Sequence, residues 1–455
     1  MITVDFDKFR SKLGQVNLLS CRGRVVRVAG LTVESRGPSV GVGRLCEIRL
    51  ADGRRVPAEV VGFHDEARVL MPLEPFEGIS PNDPVLPARH PHSVALGEGL
   101  LGRVVDGLGR PLDGGGPVAG ERRPVERMAP PALSRRRINE PLPLGIRVFD
   151  GLLTLGKGQR MGIFAGSGVG KSVLLGEMAR TSDADVNVLA LVGERGREVR
   201  EFLEKSLGPR GLARSVVVVA TGDTSPIQRV RAAFTAVTIA EFFRDLGRDV
   251  LFLMDSVTRL AMAQREIGLA AGEPPTTKGY CPSVFSLLPK LTERLGTAPR
   301  GSITGVLTCL VEADDMGDPV ADAVRSLLDG HAVLSRSLAE QGHYPAVDIL
   351  QSVSRLMDAV VSDRHRLAAQ RFRAIYATYR GAEDLINIGA FSPGSNRRID
   401  RAVSLIDRVN QFLIQPLDER TPFDEVRRRL REVTESWDFL LPDETQPAAE
   451  SGATT

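Results

Sequence analysis

The chain is short of several things, and each shortage narrows what it can be. Four cysteines (Cys21, Cys46, Cys281, Cys309) stand in 455 residues, and no two form a C-x-x-C pair. Its six histidines form no ligand cluster; His90-Pro-His92 is the nearest approach and reads as a proline-bounded loop. A disulfide framework and a Cys/His metal centre are therefore not expected, and a reducing cytoplasm is. No run of eighteen apolar residues occurs, so no membrane-spanning helix is expected. The opening MITVDFDKFRSKLG carries two aspartates and no apolar stretch, unlike a signal peptide. A formal charge of +2 argues neither for nor against nucleic acid. The first hundred residues, however, hold neither Tyr nor Trp, which counts against a stacking face for single strands.

What is present suits a folded protein of two or three domains, with 42% apolar residues. From about Asn17 to Pro87 short alternating strands recur. CEIRL (Cys46 to Leu50), the turn Ala51-Asp52-Gly53 and VPAEVVGF form one such pair, and the pattern suggests a small antiparallel barrel. EGISPNDPVLPARHPHS reads as a boundary. From about Pro141 the strands become continuously apolar: VNVLALVG, SVVVVAT, VLFLMDS and SITGVLTCL. Such strands belong in a parallel sheet covered by helices. Helical segments alternate with them; Ser225 can cap one, with Pro226 first in the helix and Gly247 after its end. After about Leu356 only helical patterns remain, and Thr421, Pro422 and Asp424 read as a capping-box start. The fold class is α/β: an N-terminal antiparallel β-barrel, a central P-loop domain on a mainly parallel sheet, and a C-terminal helical domain. The expected divisions are an N-terminal segment (1–16), the barrel (17–90), the P-loop domain (91–355), the helical domain (356–442) and a disordered tail (443–455).

Chemistry concentrates at FAGSGVGKS, Phe164 to Ser172. An apolar strand precedes it and SVLLGEMAR opens a helix. Backbone N–H groups of such a turn bind phosphate oxygens, aided by the helix dipole. Gly166, Ser167, Gly168, Val169 and Gly170 form the cradle, with Val173 just beyond. Lys171 would reach the β- and γ-phosphates and the Ser172 hydroxyl would ligate Mg²⁺. The first glycine of the usual pattern is here Ala165, which is small enough to serve. Hydrolysis needs a further residue to position water. Glu194, past the strand VNVLALV and beside Arg195, is a candidate; it reads equally as a solvated acid. Asp255 ends VLFLMDS in the Walker B manner, holding Mg²⁺ through water. Arg259 either approaches the γ-phosphate or makes an ordinary salt bridge.

HYPAVDILQSVSRLM (His343 to Met357) adds a Pro-Ala-Val-Asp followed by Ser-x-Ser. It is similar to the signature segment of the rotary ATP synthase α/β superfamily, and GERGREV and the P-loop fit that group. Within it, the chain most resembles the type III protein-export ATPases of bacterial flagella and injectisomes. IFAGSGVGKSVLLGEMAR, EPPTTKGYCPSVFSLLPKLTERLG, GSITGVLTCLVEADDMGDPVAD and LLDGHAVLSRSLAEQGHYPAVDIL carry that likeness, over roughly residues 20 to 440.

The resemblance implies a RecA-like central domain that binds ATP with Mg²⁺. It makes Glu194 the catalytic glutamate, where noncatalytic subunits have glutamine. Tyr344 would stack on adenine, its bland reading being a core tyrosine. Arg355, otherwise a surface charge, would be an arginine finger entering a neighbour's site. Lys171, Glu194, Arg195, Arg259 and Arg355 then make the candidate catalytic set. The family assembles as a ring of six, and a finger in trans changes rates by about 10³ to 10⁵ in analogous cases. The implied partners are a regulatory export protein at the N-terminal segment, a central coiled-coil stalk protein, the export gate at the membrane, and chaperone–substrate complexes. Phe6, Phe9 and Leu13 fall at helical spacing in that segment. Glu383 to Asp400 is either a contact loop or a plain helix connection. The implied place is the cytoplasm, docked at the inner face of the export apparatus. The implied function is ATP hydrolysis coupled to chaperone release, unfolding and export of flagellar proteins. An injectisome ATPase and a catalytic subunit of a rotary synthase share most of this chemistry. Glu194 opposes a noncatalytic subunit, and a Rho-like translocase needs the aromatic face that the first hundred residues lack.

Overall fold

The structure is a computed structural model that describes residues 22–88, 90–311 and 317–439. The segments 1–16, with Phe6, Phe9 and Leu13, and 443–455 lie outside the described residues.

Six strands close a barrel: β1 (Gly23–Ala29), β2 (Thr32–Arg36), β3 (Leu45–Arg49), β4 (Arg55–His64), β5 (Ala67–Pro72) and β6 (Pro84–Pro87), in the order β1-β2-β5-β4-β3-β6. Alternation decides the inward set. Val25, Val33, Cys46, Ile48, Val56, Ala58 and Leu70 fill the interior while their neighbours face out. The proline-rich stretch read as a boundary supplies the closing strand. Pro84 and Pro87 occupy the two ends of β6, where a missing N–H costs least, and Val85 and Leu86 pair with Ile48 and Glu47.

A hairpin-like pair, β7 (Ser93–Leu96) with β9 (Glu121–Pro124), follows the barrel. The large sheet comprises β8 (Val104–Asp106), β10 (Arg160–Ala165), β11 (Val186–Val192), β12 (Ser215–Ala220), β13 (Asp249–Asp255), β14 (Gly296–Thr297), β15 (Ser302–Leu310), β16 (Gly330–Leu334) and β17 (Val347–Ser354). Its order is β17-β16-β10-β15-β13-β11-β12-β8. All these neighbours are parallel except β17, which runs antiparallel to β16; β14 pairs antiparallel with β15 off the main path. Every residue of β11 and β12 is buried, as their unbroken apolar sequences require of a sheet covered on both faces.

The covering helices include α1 (Arg147–Leu152), α2 (Lys171–Thr181), α3 (Pro226–Asp245) and α4 (Val257–Ala270). Ser225 caps α3 by accepting from the Gln228 N–H, and Gly247 follows at φ +88°. Three longer C-terminal helices are α5 (Asp363–Asn387), α6 (Arg397–Leu413) and α7 (Phe423–Thr434). The capping box at Thr421 does not form. Pro422 occupies the cap position of α7, and Thr421 Oγ1 instead bonds Glu419 Oε1 at 3.2 Å and accepts from Arg147 Nη1 at 3.4 Å. The buried Arg147 guanidinium is a stronger partner than an exposed helix end.

Buried charges join the layers. Arg231 on α3 donates to Glu59 of β4 at 2.8 Å, tying the barrel to the large sheet. Arg294 makes a bidentate pair with Glu241 at 2.8 and 2.9 Å and donates to the Val125 carbonyl. Both side chains of that pair are 2% exposed. Removing one member would strand the other charge, so Arg294→Ala should lower unfolding stability by about 3–5 kcal/mol in urea titration. Arg200→Ala, which breaks a surface pair with Glu204, should change it by less than about 0.5 kcal/mol.

Candidate active site

The site lies where parallel strands end. β10 stops at Ala165, and the turn after it runs into α2. Gly168 and Gly170 take φ +82° and +89°, a region that a side chain opposes. The turn thus presents its N–H groups at the helix start, the geometry that binds phosphate. Lys171 leaves α2 at its first residue, and its Nζ meets Asp255 Oδ1 at 2.6 Å. Asp255 is buried at the end of β13 and also accepts from Thr308 Oγ1 at 2.9 Å. The Asp255–Ser256 peptide is cis.

Glu194 follows β11 on the same edge of the sheet, since Leu191 is in register with Asp255. Its carbonyl accepts from Gly222 N–H at 3.1 Å. Burial pushes the Glu194 carboxyl up to about 7; the nearby Asp255 charge adds to the rise, and Lys171 opposes it. A hydrogen bond to Glu198, one helical turn on, also favours the protonated form of Glu194 and holds the Glu198 carboxyl below its usual range.

The arginines divide. Arg195 is exposed and pairs with Glu198 at 2.9 Å. Arg259 packs across Gly193, and its Nε is buried without a partner. Of its two sequence readings, the salt bridge does not form among the described residues. Arg355 is at the other end of the sheet. Because β17 is antiparallel, Ser354 pairs with Gly330 at the start of β16, while the P-loop follows Ala165, which pairs with Leu334 at its end. Arg355 Nη1 lies 3.4 Å from the Leu328 carbonyl.

Tyr344 is 42% exposed, and its ring edge lies beside Gly170, where an added Cβ would sit 3.5 Å from Cε1. Both line a cavity of about 460 Å³ with Val173, Pro345, Ala346 and the segment Ile414–Leu417. That segment, like Glu177 in the same cavity, went unread in the sequence. Nothing local marks Ile414–Leu417, which arrives from the helical layer some 240 residues after the P-loop. Glu198 could have been found from its i,i+4 spacing to Glu194.

The donors present fit a hard divalent cation. The exposed Ser172 hydroxyl and the Asp255 carboxylate are oxygen ligands on one edge. Two such groups suit Mg²⁺, which takes its other ligands from phosphate and water. Among the described residues no set of three His, Cys, Asp or Glu could cage a metal unaided.

Gly193 has φ +77°, and a Cβ there would meet Arg259 Cβ at 2.7 Å. Gly193→Ala should therefore displace Arg259 and Glu194 together. Turnover of a nucleoside triphosphate should fall about tenfold or more, with binding of a fluorescent nucleoside diphosphate nearly unchanged. Unaltered turnover would argue that neither side chain acts there.

Comparison with known proteins agrees with this arrangement. Residues 145–354 match the nucleotide-binding domain of the ATP synthase alpha/beta family, and residues 25–88 match its beta-barrel domain. Residues 361–432 match the T3SS EscN ATPase C-terminal domain. The chain is 51% identical over 420 residues to the flagellum-specific ATP synthase of Bacillus subtilis, covering 90% of this chain and 95% of that one. It is 49% identical over 415 residues to the type 3 secretion system ATPase of Xanthomonas euvesicatoria, covering 91% and 94%. The assembled ATPase EscN of enteropathogenic E. coli, solved in complex with its central stalk EscO, superposes with a TM-score of 0.84 at 42% identity, covering 90% of this chain and all of that one. The expected resemblance holds: the chain belongs to the ATP synthase alpha/beta family, among the flagellum-specific and type 3 secretion ATPases.

Proposed function

We propose that this ATPase works as a ring of six identical chains that drives protein export, with each site completed by the next chain. The observation that carries the reading is the position of Arg355. It stands at the opposite end of the sheet from its own P-loop, so a role on the γ-phosphate requires a second chain. Within one chain, the turn from Gly166 to Gly170 holds the phosphates and Lys171 exchanges Asp255 for them. Ser172 would ligate Mg²⁺ and Asp255 would hold it through water; when bound, the ion would neutralise phosphate charge. Glu194 orients the attacking water, and Arg259, with its unpartnered Nε, faces the developing charge. Arg195 acts only through Glu198. Tyr344 stacks on the base.

The export system we favour is the flagellar one, though relatives of both systems match at similar identity. EscN was solved with a central stalk. For this chain we propose a stalk partner of the same coiled-coil kind at residues 383–400, where Leu385 and Ile388 are 48% and 75% exposed. A regulatory export protein at residues 1–16, chaperone–substrate complexes and a membrane export gate complete the proposed partners. No helix among the described residues is long and apolar enough to cross a membrane, which suits peripheral docking.

The test is ATPase rate per chain against protein concentration. It should rise with concentration in the wild type and fall by at least about 10² in Glu194→Gln and in Arg355→Ala. Inactive Arg355→Ala and Glu194→Gln chains, mixed, should regain partial activity, because some interfaces then carry an intact glutamate and an intact arginine. A flat concentration profile with both variants active would overturn the interfacial site.

A further inference from the structure

The last ladder pair of β17 is Ser354 with Gly330, so Arg355 lies just past the end of the sheet. A strand end beyond its last pair tends to fray, and an exposed side chain there samples many positions. Arg355 is exposed, but its backbone is tied down. Its N–H donates to the Asp329 carbonyl at 2.9 Å. The Ser354 hydroxyl beside it donates to the Thr154 carbonyl at 2.9 Å. One buried side chain joins these two anchors. Gln159, fully buried just ahead of β10, donates from Nε2 to Ser354 Oγ at 2.9 Å and to the same Asp329 carbonyl at 3.4 Å. Its Oε1 accepts from the Gly156 N–H at 2.8 Å, which decides the end of the amide that faces Ser354. Its own backbone is fixed as well: its N–H donates to the Gly156 carbonyl, and its carbonyl accepts from the Gly305 N–H, both at 2.9 Å. A buried polar network satisfied in this way is rigid.

We propose that Gln159 is a positioning residue for Arg355: by clamping Ser354 and the Asp329 carbonyl, it sets where the arginine leaves its own chain to act on a neighbour's phosphate. The inference rests on the reading of Arg355 as a residue that acts in trans. A guanidinium on a long side chain meets a phosphate oxygen only if its Cα is held in place, and a misplacement of about 1 Å can cost about 10²-fold in rate. Apart from its N–H, Arg355 has only the 3.4 Å contact with the Leu328 carbonyl to orient it, so the clamp on Ser354 carries that task. Gln159 is remote from the phosphate turn of its own chain. The six residues of β10 lie between them and span roughly 20 Å. The near end of β10 therefore serves the neighbour's site and the far end serves its own.

The experiment uses full-length chains and measures kcat and KM for ATP, alone and in mixtures of variants. Gln159→Leu, which keeps the volume but makes none of these hydrogen bonds, should lower kcat about tenfold or more. KM, and the affinity for a fluorescent nucleoside diphosphate, should change less than about twofold. Added to Arg355→Ala, Gln159→Leu should slow turnover by less than about twofold further, because the group it positions is already gone. Mixing then assigns the defect to one side of the interface. Gln159→Leu chains should regain activity with Glu194→Gln chains, which supply an intact Arg355. They should regain none with Arg355→Ala chains. The opposite pattern puts the defect in the chain's own P-loop site and overturns the proposal. So does rescue by both partners or by neither, and so does wild-type turnover. If Gln159→Leu chains do not fold, Ser354→Ala, which removes only the clamped hydroxyl, takes their place in the same mixtures under the same criteria. Arg355→Ala mixed with Glu194→Gln is the control. If that pair recovers activity while Gln159→Leu follows the wrong partner, the interfacial site stands and only the clamp fails. If that pair does not recover, the interfacial site falls and the clamp falls with it.

Discussion

Lys171 meets Asp255 because two strands, β10 and β13, flank a third, β15, in fixed parallel register. Ala165 pairs with Leu310, and Met254 pairs with Leu307. That places Thr308 of β15 against Asp255, where its hydroxyl bonds Oδ1. β11 lies beyond β13, and its register carries Gly193 and Glu194 past the same edge. Four chain segments thus end at one line without any direct contact in sequence. A slip of one residue would turn each side chain to the opposite face, and the buried apolar side chains on both faces oppose such a slip. The glycine turn, Asp255 and Glu194 reach a common edge only through this register.

The same burial sets the electrostatics. Asp255 is buried at the end of its strand, and charges in such surroundings interact strongly. Asp255 tolerates burial because Lys171 and Thr308 satisfy it. Glu194 has no such cation of its own; burial raises its carboxyl to about 7, and a hydrogen bond with Glu198 adds to the rise. Glu177 follows the same rule, with burial again the main cause of its raised value.

Much of this was legible in the sequence. Unbroken apolar runs gave the parallel strands, and Gly168, Gly170, Lys171 and Ser172 marked the turn, because each of those signals is local. Asp255 and Glu194 were legible as residues that end apolar strands. Less local features were not. β6 hid in a proline-rich stretch, because pairing with β1 and β3 uses only its middle. Thr421 looked like a cap, and the buried Arg147, 274 positions away, claimed its hydroxyl instead. Ile414–Leu417 carries no motif at all; it walls the cavity beside Gly170, and Arg147 on α1 holds the preceding end of α6 by donating to the Phe412 carbonyl. Arg355 was legible only through family likeness, since nothing local sets it apart from a surface charge.

Strand polarity sets how far Arg355 lies from the P-loop of its own chain. β17 starts beside Leu334, at the P-loop end, and Tyr344 enters the chain's own cavity just before it. Running antiparallel, the strand then carries Arg355 to the start of β16. The five residues of β16 span roughly 13 Å. Arg355 lies beyond that span, with its guanidinium held toward the Leu328 carbonyl and away from Gly170. One strand is therefore preceded by Tyr344 at the chain's own cavity and followed by Arg355 at the opposite end of the sheet. No rotamer of Arg355 closes that distance within a chain. If Arg355 acts on phosphate, assembly must precede efficient hydrolysis, and a free chain holds nucleotide in a site that lacks one charge.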